Sequence, residues 1–172
     1  MTALLLSRFP LGLLPEASGP LRVALAGCGV VGGGVLPRLL DRADIRLVGV
    51  LVRSRSKVRS PTPDPELVFT DPAALLAREP DVVIDTLSDA SVSLALIRAA
   101  LARGIHVVSA SKQAMAADVE GLSALATATG ATLRYSAAVG GGVPMLETVR
   151  LARGLGPIRR IEAVLNGTVN FM

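Results

Sequence analysis

Residues 21–34 read LRVALAGCGVVGGG. Leu21 to Ala26 is a largely apolar run that predicts a buried strand, Gly27-x-Gly29-x-x-Gly32 follows it, and apolar residues then recur at helical spacing. Each glycine has its own physical job. Gly27 turns the chain sharply off the strand, Gly29 leaves bare backbone for a diphosphate to approach, and Gly32 lets the helix pack close to the strand. Phosphates would lie at the helix N-terminus, where free N–H groups and the positive end of the dipole converge. The glycine pattern alone is unspecific. An apolar strand before it and a second at residues 45–52, IRLVGVLV, supply the context that points to nucleotide binding.

Outward from this stretch, strand and helix patterns alternate. Residues 32–43 predict the first helix, with Val35, Leu36, Leu39, Leu40 and Ala43 on one face and Pro37 awkwardly inside it. Strands are expected at 67–69, 81–85, 105–109, 131–136 and 158–165. Helices are expected at 71–78, opened by Asp71 and Pro72; at 91–103, stopped by Gly104; at 119–129, capped by Asp118 and ended by Gly130; and at 143–152. Ser111 is a further capping residue. This alternation predicts an α/β fold, a doubly wound parallel sheet of the Rossmann dinucleotide-binding type. The expected organisation is an extension at 1–20, a dinucleotide-binding domain at 21–142, and the start of an incomplete substrate domain at 143–172.

The composition narrows the function. Of 172 residues, 51% are hydrophobic and 19% charged, which excludes a disordered chain. The formal charge is +4, yet aromatics make up only 2% and the arginines are mostly scattered, so a phosphate-bearing small molecule explains the basic clusters better than nucleic acid does. No run suits a membrane span. Residues 1–20 are interrupted by Arg8, Pro10, Pro15 and Glu16 and read as an extension rather than a signal sequence. The single cysteine, Cys28, allows no internal disulfide and fits a cytoplasmic protein.

Three segments carry candidate chemistry. After the second strand come Arg53, Arg55, Lys57 and Arg59. An NAD enzyme places a carboxylate there, about 20 residues beyond the glycines, to bond the ribose hydroxyls. No acidic residue lies between Asp44 and Asp64, and arginine binds a 2′-phosphate that a carboxylate would repel, which favours NADP over NAD. Residues 86–90, TLSDA, and 110–113, ASKQ, follow strands at the edge where ligands gather, and Lys112 is the candidate acid–base group. In residues 137–144, AAVGGGVP, exposed carbonyls could hold a cation, N–H groups could hold a carboxylate, or the glycines could form a hinge. His106, alone on a strand, reads as a packed side chain.

Taken together, GCGVVGGG, VRSRSK, HVVSASKQAMA, YSAAVGGGVPMLE and LNGTVNFM, in this order, resemble the N-terminal part of homoserine dehydrogenases over residues 21–172. The resemblance implies NADP- or NAD-dependent interconversion of homoserine and aspartate semialdehyde, in threonine and methionine biosynthesis, by a protein that is a homodimer at full length. It implies that Gly27, Gly29, Val30, Val31 and Gly32 hold the pyrophosphate, that Arg53 and Lys57 meet the adenosine end, and that Ser88 and Lys112 lie near the nicotinamide and substrate. It also implies a sodium site on the carbonyls of Val139, Gly141 and Val143. The family often has glutamate where Ser136 stands and asparagine where Ser111 stands, and it continues well past NGTVN. The 172-residue chain by itself is therefore expected to bind NADP and turn over homoserine weakly or not at all. Two other readings remain: a non-catalytic NADP-binding module, and another small-substrate reductase of the same fold.

Overall fold

The computed structural model describes residues 19–162. Six strands form one parallel sheet: β1 (Leu21–Ala26), β2 (Ile45–Leu51), β3 (Val68–Phe69), β4 (Val82–Asp85), β5 (His106–Ser109) and β6 (Leu133–Arg134). Their order is β3-β2-β1-β4-β5-β6. The chain starts at the centre, runs outward through β2 and β3, and then crosses back to lay β4 on the other side of β1. That reversal leaves a crevice above the carboxyl ends of β1 and β4, because the connections on its two sides leave on opposite faces.

Alternation along β1 feeds two cores. Val23 and Leu25 pack with Leu36 and Leu39 of α1 (Val30–Leu40). Ala24 and Ala26 belong to the other core, which also takes Leu75 of α2 (Pro72–Leu76), Leu96 and Ile97 of α3 (Ala90–Leu101) and Leu122 of α4 (Lys112–Thr129). Small alanines on this face of the central strand let the larger helical side chains come close.

Asp71 caps its helix as the sequence predicts, and Asp89 is a cap not expected from the sequence. Asp71 accepts from the N–H groups of Ala73 and Ala74 with Pro72 at the first helical position, and Asp89 accepts from those of Ser91 and Val92. α4 is continuous from Lys112 but breaks locally at Asp118, where φ is −160° and ψ is 47°. The Asp118 carboxylate accepts from Gly121 N–H and caps the second half, so the expected boundary survives as a kink inside one helix. Gly130, at φ +73°, ends it. α1 stops at Leu40 rather than Ala43; Asp41 N–H closes its last turn on the carbonyl of Pro37.

One expected strand is not formed where it can be seen. Of residues 158–165, the described part, 158–162, has no regular structure, because no neighbouring strand pairs with it. The preceding helix, α5 (Met145–Leu155), buries none of its residues. The NGTVN segment and residues 1–18 lie outside the described residues.

Candidate functional site

The turn from β1 into α1 is held on three sides. Gly27 takes φ +93°, its N–H donates to Leu51 O at 2.9 Å, and a Cβ added there would meet Thr86 Oγ1 at 2.7 Å. At Gly32 an added Cβ would lie 2.0 Å from the carbonyl oxygen of Gly27. Both glycines are therefore required by the close approach of helix, loop and β4. Gly29 is different: an added Cβ would meet nothing within 4 Å. Gly29 is also the N-cap of α1, and no side chain caps that helix, whereas α2, α3 and α4 have Asp71, Asp89 and Ser111. Val30 is 97% exposed and Val31 56%. The first turn of α1 thus presents N–H groups with no capping side chain, over open space, at the sheet's switch point. Cys28 sits in the same loop; burial pushes its thiol pKa up, and the charge of Arg59 pulls the other way.

The opposite wall of the crevice comes from the end of β4. Thr86 Oγ1 donates to the carbonyls of Ala26 and Gly27, both at 3.0 Å, and so fastens the two loops together. Ser88 follows, exposed, next to Asp89. The Ser91 hydroxyl, then the Val92 and Ser91 N–H groups, hold the Asp89 carboxyl below the usual carboxylate range, and the charge of Arg53 acts in the same direction. Asp89 and Arg53 thus feel each other from the two flanks of the glycine loop. Lys112 is the first residue of α4, exposed, where β5 ends.

The four basic residues divide into two pairs. Arg59 donates to the carbonyls of Lys57 and Ser54, and Arg55 donates to those of Pro65 and Val68, so both guanidiniums hold the loop in shape. Arg53 and Lys57 are exposed, and neither makes a side-chain hydrogen bond or salt bridge among the described residues. These are the two that the sequence singled out. Lys57 also lines a cavity of about 370 Å³ with Arg55, Arg59 and Val68. A larger one, about 720 Å³, lies at the opposite sheet edge against Leu21, Glu79, Arg103 and His106 and contains none of the candidate residues. His106 Nδ1 accepts from Thr132 N–H at 2.9 Å, a structural role.

The homoserine dehydrogenase NAD-binding domain family matches residues 27–136, most of the described chain. The chain belongs to this family. A homoserine dehydrogenase of Neisseria gonorrhoeae is 30% identical over 163 residues, covering 89% of this chain and 37% of that protein. The crystal structure of a homoserine dehydrogenase from Thiobacillus denitrificans superposes with a TM-score of 0.66 at 31% identity, covering 79% of this chain and 34% of that one. A hyperthermophilic archaeal homoserine dehydrogenase, solved in complex with NADPH, shares the fold at a TM-score of 0.65 and 19% identity, covering 76% of this chain and 48% of that one. The chain thus spans little more than a third of the curated relative's length.

The loop at Val139–Val143 follows β6 and a single helical turn at Ser136–Ala138. Gly140 and Gly141 take φ +80° and +62°, and the Val143 carbonyl accepts from Met145 N–H at 2.8 Å. Ser136 donates its hydroxyl to Glu147 Oε1. That bond, ahead of smaller contributions from Arg150 and Arg134, holds the Glu147 carboxyl below its ordinary range. Among the described residues no group of three or more His, Cys, Asp or Glu comes together.

Sequence reasoning missed two residues of this site. Asp85 reads in the sequence only as the end of a strand, and Thr86 only as the start of the ligand-edge segment 86–90, with no role of its own. DVVID does carry a signal, since an aspartate closing an apolar parallel strand needs partners, but the serines that satisfy it are 8 and 24 residues away and only the fold brings them together.

Proposed function

We propose that this chain is the dinucleotide-binding part of a homoserine dehydrogenase and that it takes NADP in the crevice between β1 and β4. The observation that carries the proposal is the uncapped first turn of α1 beneath the open position at Gly29. The pyrophosphate would lie on the N–H groups of Gly29, Val30, Val31 and Gly32, with Gly27 shaping the turn. Arg53 and Lys57, both uncommitted among the described residues, would meet the 2′-phosphate, and their freedom supports NADP over NAD. The NADPH bound to the archaeal fold neighbour supports the same ligand class.

A bound nicotinamide dinucleotide supplies the hydride acceptor for homoserine oxidation. The chain's own contribution is orientation and one proton route. Ser88 and Lys112 flank the nicotinamide end, and Lys112 is the group able to hold or move the hydroxyl proton of the substrate. A sodium ion would be held by the carbonyls of Val139, Gly141 and Val143. Glu147, on the helix that follows that loop, has an Oε2 without a hydrogen-bond partner and would supply negative charge toward a cation, although Arg150 already lies 3.9 Å from its Oε1. A cytoplasmic homodimer belongs to the same proposal.

Titration of the purified chain with NADPH and NADH, followed by a homoserine turnover assay, tests the reading. Tighter binding of NADPH, with turnover weak until the rest of a family-length polypeptide is supplied, is the expected result. Failure to bind either dinucleotide would overturn it.

A further inference from the structure

Asp85 is the last residue of β4 and is fully buried. Its carboxylate accepts three hydrogen bonds. Ser93 Oγ of α3 and Ser109 Oγ at the end of β5 both donate to Oδ2, at 2.6 and 2.7 Å, and Leu87 N–H donates to Oδ1 at 3.1 Å. Ser109 Oγ in turn accepts from Ser111 N–H at 3.1 Å, and Ser111 Oγ caps α4 by accepting from Ala114 N–H at 3.4 Å. No salt bridge reaches Asp85 among the described residues.

A buried carboxylate without a cation is costly unless its oxygens are satisfied, and an apolar residue would close a strand end at lower cost. What the carboxylate does that an apolar side chain cannot is hold two loops at once. Through Leu87 N–H it fixes the turn that carries Ser88. Through Ser109 and Ser111 it fixes the start of α4, and with it Lys112.

We propose that Asp85 is a positioning residue that sets the spacing of Ser88 and Lys112 across the nicotinamide end of the crevice. The inference rests on the dinucleotide reading above. It implies that Asp85 governs the nicotinamide half of the ligand and leaves the adenosine half alone, because no bond of this network reaches the loop at Arg53–Arg59.

The test compares the affinities of NADPH and of 2′,5′-ADP, which carries only the adenosine half and its phosphates, for the wild-type chain and for Asp85→Asn, Ser109→Ala and Ser93→Ala, with thermal unfolding measured alongside. Asp85→Asn and Ser109→Ala should weaken NADPH about tenfold while 2′,5′-ADP changes less than about twofold. Ser93→Ala breaks a bond to the same oxygen on the α3 side and should lower the melting temperature without altering the ratio of the two affinities. Should Asp85→Asn not fold, Ser109→Ala decides alone, since it leaves Asp85 two donors. An unchanged ratio in Ser109→Ala, whatever its stability, overturns the proposal. A wild-type chain that binds 2′,5′-ADP and NADPH equally also overturns it, whereas one that binds neither defeats the dinucleotide reading itself.

Discussion

Two glycine-rich turns follow strands of the same sheet, one at Gly27–Gly32 and one at Gly140–Gly142. In the first, side-chain atoms and backbone fill the space beside Gly27 and Gly32, and only Gly29 faces a void. In the second, a Cβ added at Gly140 would meet only the flexible Met145 side chain closely, at 2.7 Å, Gly141 and Gly142 have nothing within 4 Å, and the helix that follows buries no residue. The same residue type is used for opposite ends. Packed glycines fix one geometry by excluding side chains, so the first turn is preorganised before any ligand arrives. Unpacked glycines only permit backbone angles and leave the turn dependent on whatever else binds or packs there.

The sharpest way to break this contrast is Gly32→Ala. The added methyl collides with backbone rather than with a yielding side chain, so the helix or the loop must move. We expect a loss of stability of about 3 kcal/mol or more in urea unfolding, together with loss of dinucleotide binding. Thr86→Val comes next. It keeps the shape but leaves two carbonyls of the turn without their hydroxyl donor, and about 1–3 kcal/mol should be lost in the same assay. Arg53→Asp probes ligand rather than fold: NADPH should weaken about tenfold or more relative to NADH in a fluorescence titration, with the unfolding midpoint little changed.

The second turn predicts smaller numbers. Gly141→Ala meets no atoms and suffers only from φ +62°, so about 1 kcal/mol is the expected cost by thermal unfolding. A loss as large as that for Gly32→Ala would erase the distinction. The smallest effect is on pH. The Asp89 carboxyl sits below its ordinary range in the folded protein, so its contribution to the start of α3 is complete above that range and is lost as pH falls through the depressed value. Helicity followed by circular dichroism on acid titration should drop at a lower pH in the wild type than in a variant where Ser91→Ala removes the leading donor.

Much of this was legible in the chain itself. The apolar run Leu21–Ala26 announces a buried strand, and Asp71, Ser111 and Asp118 announce helix starts, because these signals act over a few residues. The separation of Arg53 and Lys57 from Arg55 and Arg59 was only half legible. Charge and position marked the cluster, but which guanidiniums are consumed by carbonyls such as Pro65 O and Val68 O depends on how the loop folds back. The bonds from Thr86 to Ala26 and Gly27 and from Ser93 and Ser109 to Asp85 could not be read, since they join residues up to 60 positions apart. The described part, 158–162, of the strand expected at 158–165 shows the converse: local β propensity has no effect without a neighbour to pair with.

Gly29→Val tests the central claim most directly, because that position is open in the free protein and occupied in the proposed complex. Calorimetric titration with NADPH should show at least a tenfold loss of affinity, about 1.4 kcal/mol, while the thermal midpoint stays close to that of the wild type. If the valine variant bound NADPH as tightly as the wild type, the first turn of α1 would not be where the diphosphate lies.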